Sequence, residues 1–188
     1  MPHVLILGMT ESGKTTLAKK LCKDYQKRDI GCIVLDPLQD PGWSDTPDSD
    51  LFFQTTDKDQ FLASVKASQR CAVFIDESGE SVGQYDTQMH WLATRGRHYG
   101  HNCHFLSQRG QQIAKTVRDQ CGRLYLFCCS FTDGKILADE WNKPELRDAS
   151  ELPQGEFFIV QRFGGTEIAS AFDDKPARKL LDKKRANE

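Results

Sequence analysis

The sequence has no apolar run approaching the ~20 residues that a helix needs to span a bilayer, so no helical membrane span is expected. Its first residues, MPHVLILGM, form too short an apolar stretch and lack a basic leader, so no secretory signal is expected either. There is no C-x2-C pair. The seven cysteines (Cys22, Cys32, Cys71, Cys103, Cys121, Cys128 and Cys129) are odd in number and fall largely in apolar runs, which fits small buried hydrophobes in a reducing compartment. Charge of one sign is also lacking. Lys and Arg total 25 against 27 Asp and Glu, a net of −2, so nothing draws the whole chain toward nucleic acid. No repeat recurs at a fixed period. What is present is a chain of 188 residues, 38% hydrophobic and 28% charged. That is enough for one domain, two at most, with a core that needs no disulfide or metal. We assign the domain to residues 1–174 and a basic tail to 175–188.

Short β-branched runs alternate with helical patterns, the signature of βαβ units and a mainly parallel sheet flanked by helices, an α/β fold. Buried strands are expected at His3–Leu7, Cys32–Asp36, Cys71–Ile75, Asn102–Ser107 and Leu124–Cys129, with an edge strand at Leu51–Thr55. Helices are expected from Lys14 to about Arg28, and over Asp57–Gln69, Thr87–His98, Gln111–Cys121 and Thr132–Trp141. Glu156–Arg162 and Glu167–Phe172 flank Gly164 and Gly165, a C-terminal β-hairpin.

Gly8, Met9, Thr10, Glu11, Ser12, Gly13, Lys14 and Thr15 match G-x-x-x-x-G-K-[ST] between a strand and a helix, the context of a phosphate-binding P-loop. Two glycines let the backbone curl so that its N–H groups face phosphate oxygens. The following helix, starting through Thr16, aims its positive end at the same point. Lys14 is suited to the β- and γ-phosphates of ATP, and the Thr15 hydroxyl to Mg2+. Asp76 closes an apolar strand and would hold Mg2+ through water, while the adjacent Glu77 is placed to polarise an attacking water. Gln108 ends the next strand, where an amide would sense the γ-phosphate.

Arg95, Arg97, His98, His101, His104 and Arg109 form a basic cluster in the sequence. It reads either as an arginine acting on a neighbouring subunit's nucleotide or as a nucleic-acid contact surface. The three histidines straddle a helix end, a glycine and a strand, a poor arrangement for a metal.

These motifs resemble the FtsK–HerA superfamily of ring-forming ATPases. Within it, they are most similar to the small genome-packaging ATPases of membrane-containing double-jelly-roll viruses. The resemblance runs over residues 3–172. It rests on Gly8 to Thr15, Asp36 followed by Pro37, Asp76 with Glu77, Arg97 followed by Gly100, and Gln108. It implies a RecA-like P-loop NTPase core of the ASCE type and a homo-oligomeric ring, most simply a hexamer. It also implies double-stranded DNA as partner, a capsid vertex or viral membrane protein as dock, and a host-cytoplasmic and virion-associated location. Arg97, with Arg95 as the alternative, would be the arginine acting in trans. The acidic, proline-rich loop after Asp36 departs from the family, and no added DNA-reading domain is expected within these residues.

Other functions stay open at this point: an assembly or export ATPase of the zonula-occludens-toxin-like kind, a small-molecule kinase, or a nucleotide switch. Segments 78–86 and 108–115 are candidate loops for gripping DNA, and six Lys and Arg from Lys175 to Arg185 form the tail's cationic content.

Overall fold

The computed structural model describes residues 2–44, 49–76 and 87–172. Glu77, the segment 78–86 and the basic tail lie outside the described residues. Eight strands form one sheet: β1 (His3–Leu7), β2 (Cys32–Leu35), β3 (Phe52–Thr55), β4 (Ala72–Ile75), β5 (Asn102–Ser107), β6 (Cys121–Phe127), β7 (Glu156–Gln161) and β8 (Thr166–Ser170). Their spatial order is β3-β2-β4-β5-β1-β6-β7-β8. The first six in that order pair in parallel. The hairpin β7–β8 then joins the β6 side in antiparallel register.

The continuous apolar strands are explained by burial on both faces. Leu5 and Leu7 point to one core, Val4 and Ile6 to the other. Helix α1 (Lys14–Gln26) covers the second face with Leu17, Ala18, Cys22 and Tyr25. The opposite face carries α2 (Lys58–Ala67), α3 (Thr87–Thr94), α4 (Lys115–Gln120) and α5 (Phe131–Trp141). Asp57 caps α2 by accepting from Gln60 N at 2.7 Å, and Ser130 caps α5 by accepting from Asp133 N at 3.1 Å. No helix among the described residues is long and apolar enough to cross a membrane.

Two helices differ from the sequence expectation. The segment expected as one helix over Thr87–His98 stops at Thr94 and continues as a 3-10 turn over Gly96–Tyr99, with Gly96 buried against Cys103. The next expected helix, Gln111–Cys121, is a 3-10 turn over Gly110–Gln112 followed by the short α4, because Cys121 already pairs with His3 as the start of β6.

All seven cysteines are free, and five of them are buried. Burial pushes the Cys103 and Cys121 thiols well up, and that of Cys129 to about 12. These thiols are packing groups rather than nucleophiles.

Candidate functional site

Parallel pairing brings the C-terminal ends of β1, β4, β5 and β6 to one edge of the sheet. The loop from Gly8 to Gly13 is fastened there to both neighbours of β1. Gly8 N donates to Ser107 O at 3.3 Å and Met9 N to Cys128 O at 2.8 Å. Close packing decides why glycine stands at positions 8 and 13. Gly8 has φ +154°, and a Cβ there would lie 2.6 Å from the Phe127 Cβ; Gly13 has φ +112° and sits over the same ring. Glu11 also has a positive φ of 61°, the tight curl that turns successive amides inward. Gly13, the N-cap of α1, makes no side-chain cap, and the first turn of a helix has no preceding carbonyls to accept its N–H groups.

Lys14 is buried, and its Nζ donates to Met9 O at 2.8 Å, so the ammonium lies across the mouth of the loop. Thr15 Oγ1 donates to Asp76 Oδ2 at 3.2 Å, joining residues 61 positions apart. Asp76 is itself buried and is anchored through its N–H to Leu35 O at 3.0 Å. Gln108 follows β5 immediately and is exposed. Lys14, Thr15, Asp76 and Gln108 therefore share one edge.

This edge fits a triphosphate and its cation. Ser12 Oγ is buried with no partner among the described residues, a donor facing a cradle that only glycines leave open. The Thr15 hydroxyl and Asp76 carboxylate make a hard oxygen pair of the kind Mg2+ prefers.

Arg97 lies elsewhere. It sits before β5, at the opposite edge, where its Nη2 donates to Gln120 O at 2.9 Å. A six-residue strand is about 20 Å long, so Arg97 is out of reach of the P-loop of its own chain. There it borders a cleft of about 400 Å³ shared with Pro2, Gly122, Arg162 and the fully exposed Phe163.

The basic cluster of the sequence is not one patch. Arg109 is at the P-loop edge, held by Asp133 through contacts of 3.1–3.3 Å. His101 and His104 are buried. His101 bridges Cys71 N and Val65 O. His104 ends a relay in which Asn102 donates to Tyr25, Tyr25 to His104 Nε2, and His104 Nδ1 to Val73 O. Burial holds His104 neutral, with its pKa lowered to about 3. His3 is lowered to about 4 by burial and then by the nearby Arg97 charge. The length of β5 and its burial on both faces separate these neighbours in sequence.

Some contacts had no motif to announce them. Gly155 N donates to Ser12 O at 3.0 Å and Gln154 Nε2 to Glu11 O at 3.0 Å, so the entry to the hairpin clamps the P-loop. Pro153 ahead of Gly155 marks a turn, yet it carries no sign of what that turn touches. Asp36 accepts from Leu38 N, Asp40 N and Gln54 Nε2, so it shapes its own loop.

A strand order with β5 between β1 and β4, a glycine cradle after β1 and an acid at the end of β4 define a P-loop NTPase fold. Solved structures agree. The genome packaging NTPase B204 from Sulfolobus turreted icosahedral virus 2, in complex with ATP-gammaS, matches with a TM-score of 0.75 at 16% identity, over 96% of this chain and 98% of that one. The same protein with AMPPCP gives 0.74 at 18% identity, over 89% and 96%. The cytoplasmic domain of the Thermomonospora curvata type VII secretion ATPase EccC gives 0.65 at 15% identity, over 95% of this chain and 24% of that one. The chain thus shares its fold with a viral packaging NTPase and with a secretion ATPase, in keeping with the FtsK–HerA resemblance. No protein-family model matches the sequence, and no curated protein does.

Proposed function

We propose that the chain is an ATP-hydrolysing motor that moves double-stranded DNA, packaging a viral genome into a preformed capsid as a homo-oligomeric ring. The observation that carries the proposal is the contact of Thr15 with the buried Asp76 beside a glycine cradle spanned by Lys14. On ATP binding, Lys14 exchanges the Met9 carbonyl for phosphate oxygens, and the loop amides and Ser12 Oγ take the remainder. Thr15 and Asp76 are the residues that would hold Mg2+, which when bound offsets charge on the β- and γ-phosphates. Glu77 orients water in line with the γ-phosphate, Gln108 reports its presence, and Arg97 serves the nucleotide of an adjacent subunit. B204, solved with ATP-gammaS and with AMPPCP, supports the nucleotide part of this reading. The motor is placed in the host cell and at the virion.

An ATPase assay with and without duplex DNA, run beside a size measurement, tests the reading. Stimulation by DNA together with ring formation is expected. Glu77→Gln should keep ATP binding and lose turnover; full turnover in that variant removes Glu77 from its role. The second reading is an export motor, favoured by the likeness to EccC. Nucleotide-dependent binding of a protein segment, with no response to DNA, would select it.

A further inference from the structure

The loop after β5 and the helix that follows it use their cations internally. Arg109 is paired with Asp133, Arg118 with Glu140, and Lys115 with Asp119, which reaches the opposite-edge cleft. The loop from 108 to 115, attractive in the sequence for gripping DNA, therefore has little charge to spare.

The opposite edge differs. Two turns meet there: 68–71, between α2 and β4, and 95–100, between α3 and β5. Neither 60–75 nor 87–118 contains an aspartate or glutamate, in a chain that has 27 of them. Lys66, Arg70, Arg95, Arg97 and His98 are all exposed, and no ion pair to any of them is formed among the described residues. One cation per helix end would complement the dipoles of α2 and α3; the number present exceeds that.

The turns are also built rigidly. Arg70 N donates to Tyr99 O at 2.9 Å, locking them side by side. His101 ties Val65 O to Cys71 N beneath them. Tyr99 stacks on His101 at 6.1 Å and lies 5.2 Å from Trp91. Arg70 adopts φ +56°, where a residue bearing a Cβ is strained, although glycine or asparagine would fit at less cost. Gly100, with φ +77°, leaves room for its stem: a Cβ there would meet the Arg70 Cγ at 3.0 Å. The fold thus keeps Arg70 in a strained backbone conformation with the start of its side chain packed over Gly100.

We propose that this cation-rich face, centred on Arg70 and Lys66 and flanked by Arg95 and His98, with Asp119 the acid that borders it beside Arg97, is where each subunit contacts the phosphate backbone of duplex DNA. The inference rests on the DNA-motor reading and adds to it the surface that grips. Phosphate contact needs a fixed array of cations without competing carboxylates, and sequence-independent packing needs no base readout. A chain with a net charge of −2 can bind DNA only through such segregation.

The test is fluorescence anisotropy of a labelled 30-base-pair duplex with the full chain across a salt series. It is run for the wild type, for Lys66→Glu with Arg70→Glu, and for a control of equal charge change, Lys27→Glu with Lys135→Glu. DNA-free ATPase rate and particle size are measured for each. We expect the face variant to lose at least about tenfold in affinity, and its plot of log affinity against log salt to flatten by about one unit or more per lost phosphate contact. The control, the basal ATPase and the particle size should stay near wild type. Unchanged affinity and slope in the face variant overturn the proposal. So does an equal loss in the control, which would mean net charge alone, or a changed particle size, which would make this face a contact between copies. Absence of wild-type DNA binding at any salt is a different result, since it removes the DNA-motor reading itself.

Discussion

Where β1 ends, the sheet presents curled backbone, two glycines that a methyl group would jam, a lysine folded over a carbonyl and a threonine bonded to a buried acid. Where β1 begins, it presents buried neutral histidines, with exposed arginines above them that form no ion pair among the described residues. The first edge presents main-chain groups, and a phosphate would be bound most closely where no side chain intervenes. The second uses long side chains because a partner there would be met at the surface. The difference teaches that the same parallel strands can support tight chemistry at one end and a loose electrostatic contact at the other, about 20 Å apart.

The comparison breaks most easily at Gly8. Gly8→Ala places a methyl 2.6 Å from the Phe127 Cβ and should cost about 3 kcal/mol or more, weakening ATP binding over about 100-fold. Gly42→Ala, at φ +86° with nothing within 4 Å, should cost only about 1 kcal/mol. Urea unfolding and a nucleotide titration of both variants check this; equal effects would mean that crowding at the loop is irrelevant.

The neutral histidines sharpen the other edge through pH. His3 and His104 are held near pKa 4 and 3, below the 6.5 of the unfolded chain. Below pH 6.5 the unfolded state binds the extra protons, so stability falls as pH drops toward the folded values. Two groups at about 1.4 kcal/mol per pH unit give a loss of about 3–4 kcal/mol by pH 5. Urea midpoints measured from pH 7 to 5 should fall accordingly, and His104→Gln should remove about half of the slope. A flat profile would mean that these rings are not desolvated.

Smaller effects are expected at Asp133, which is buried and holds Arg109 next to Gln108. Asp133→Ala should cost about 1–2 kcal/mol and lower kcat more than it raises KM. Ser130→Ala, which removes the cap of α5, should cost about 1 kcal/mol with ATPase kinetics unchanged. Thermal unfolding and steady-state kinetics separate the two.

Much of this was legible in the sequence. The apolar runs marked the buried strands, and the glycine spacing marked the P-loop. The Gly164–Gly165 turn marked the hairpin. These signals are local, written within a dozen residues. The clamp of Gly155 on Ser12 and the relay of Asn102, Tyr25 and His104 were not legible, because each depends on strand order. The basic cluster misled for a related reason: His104 lies in a strand buried on both faces, His101 is packed in the turn before it, and the length of β5 carries Arg109 to the far edge. Glu77 and the tail lie outside the described residues, so their placement in the fold adds nothing to the sequence reading.

The central claim is that the loop from Gly8 to Thr15 binds a nucleoside triphosphate. Isothermal titration calorimetry of ATP-gammaS with Mg2+ into the wild type and Lys14→Ala tests it most directly. The account predicts one site per chain in the wild type and at least about 100-fold weaker binding in the variant; no heat in the wild type, or equal affinity in both, would contradict it.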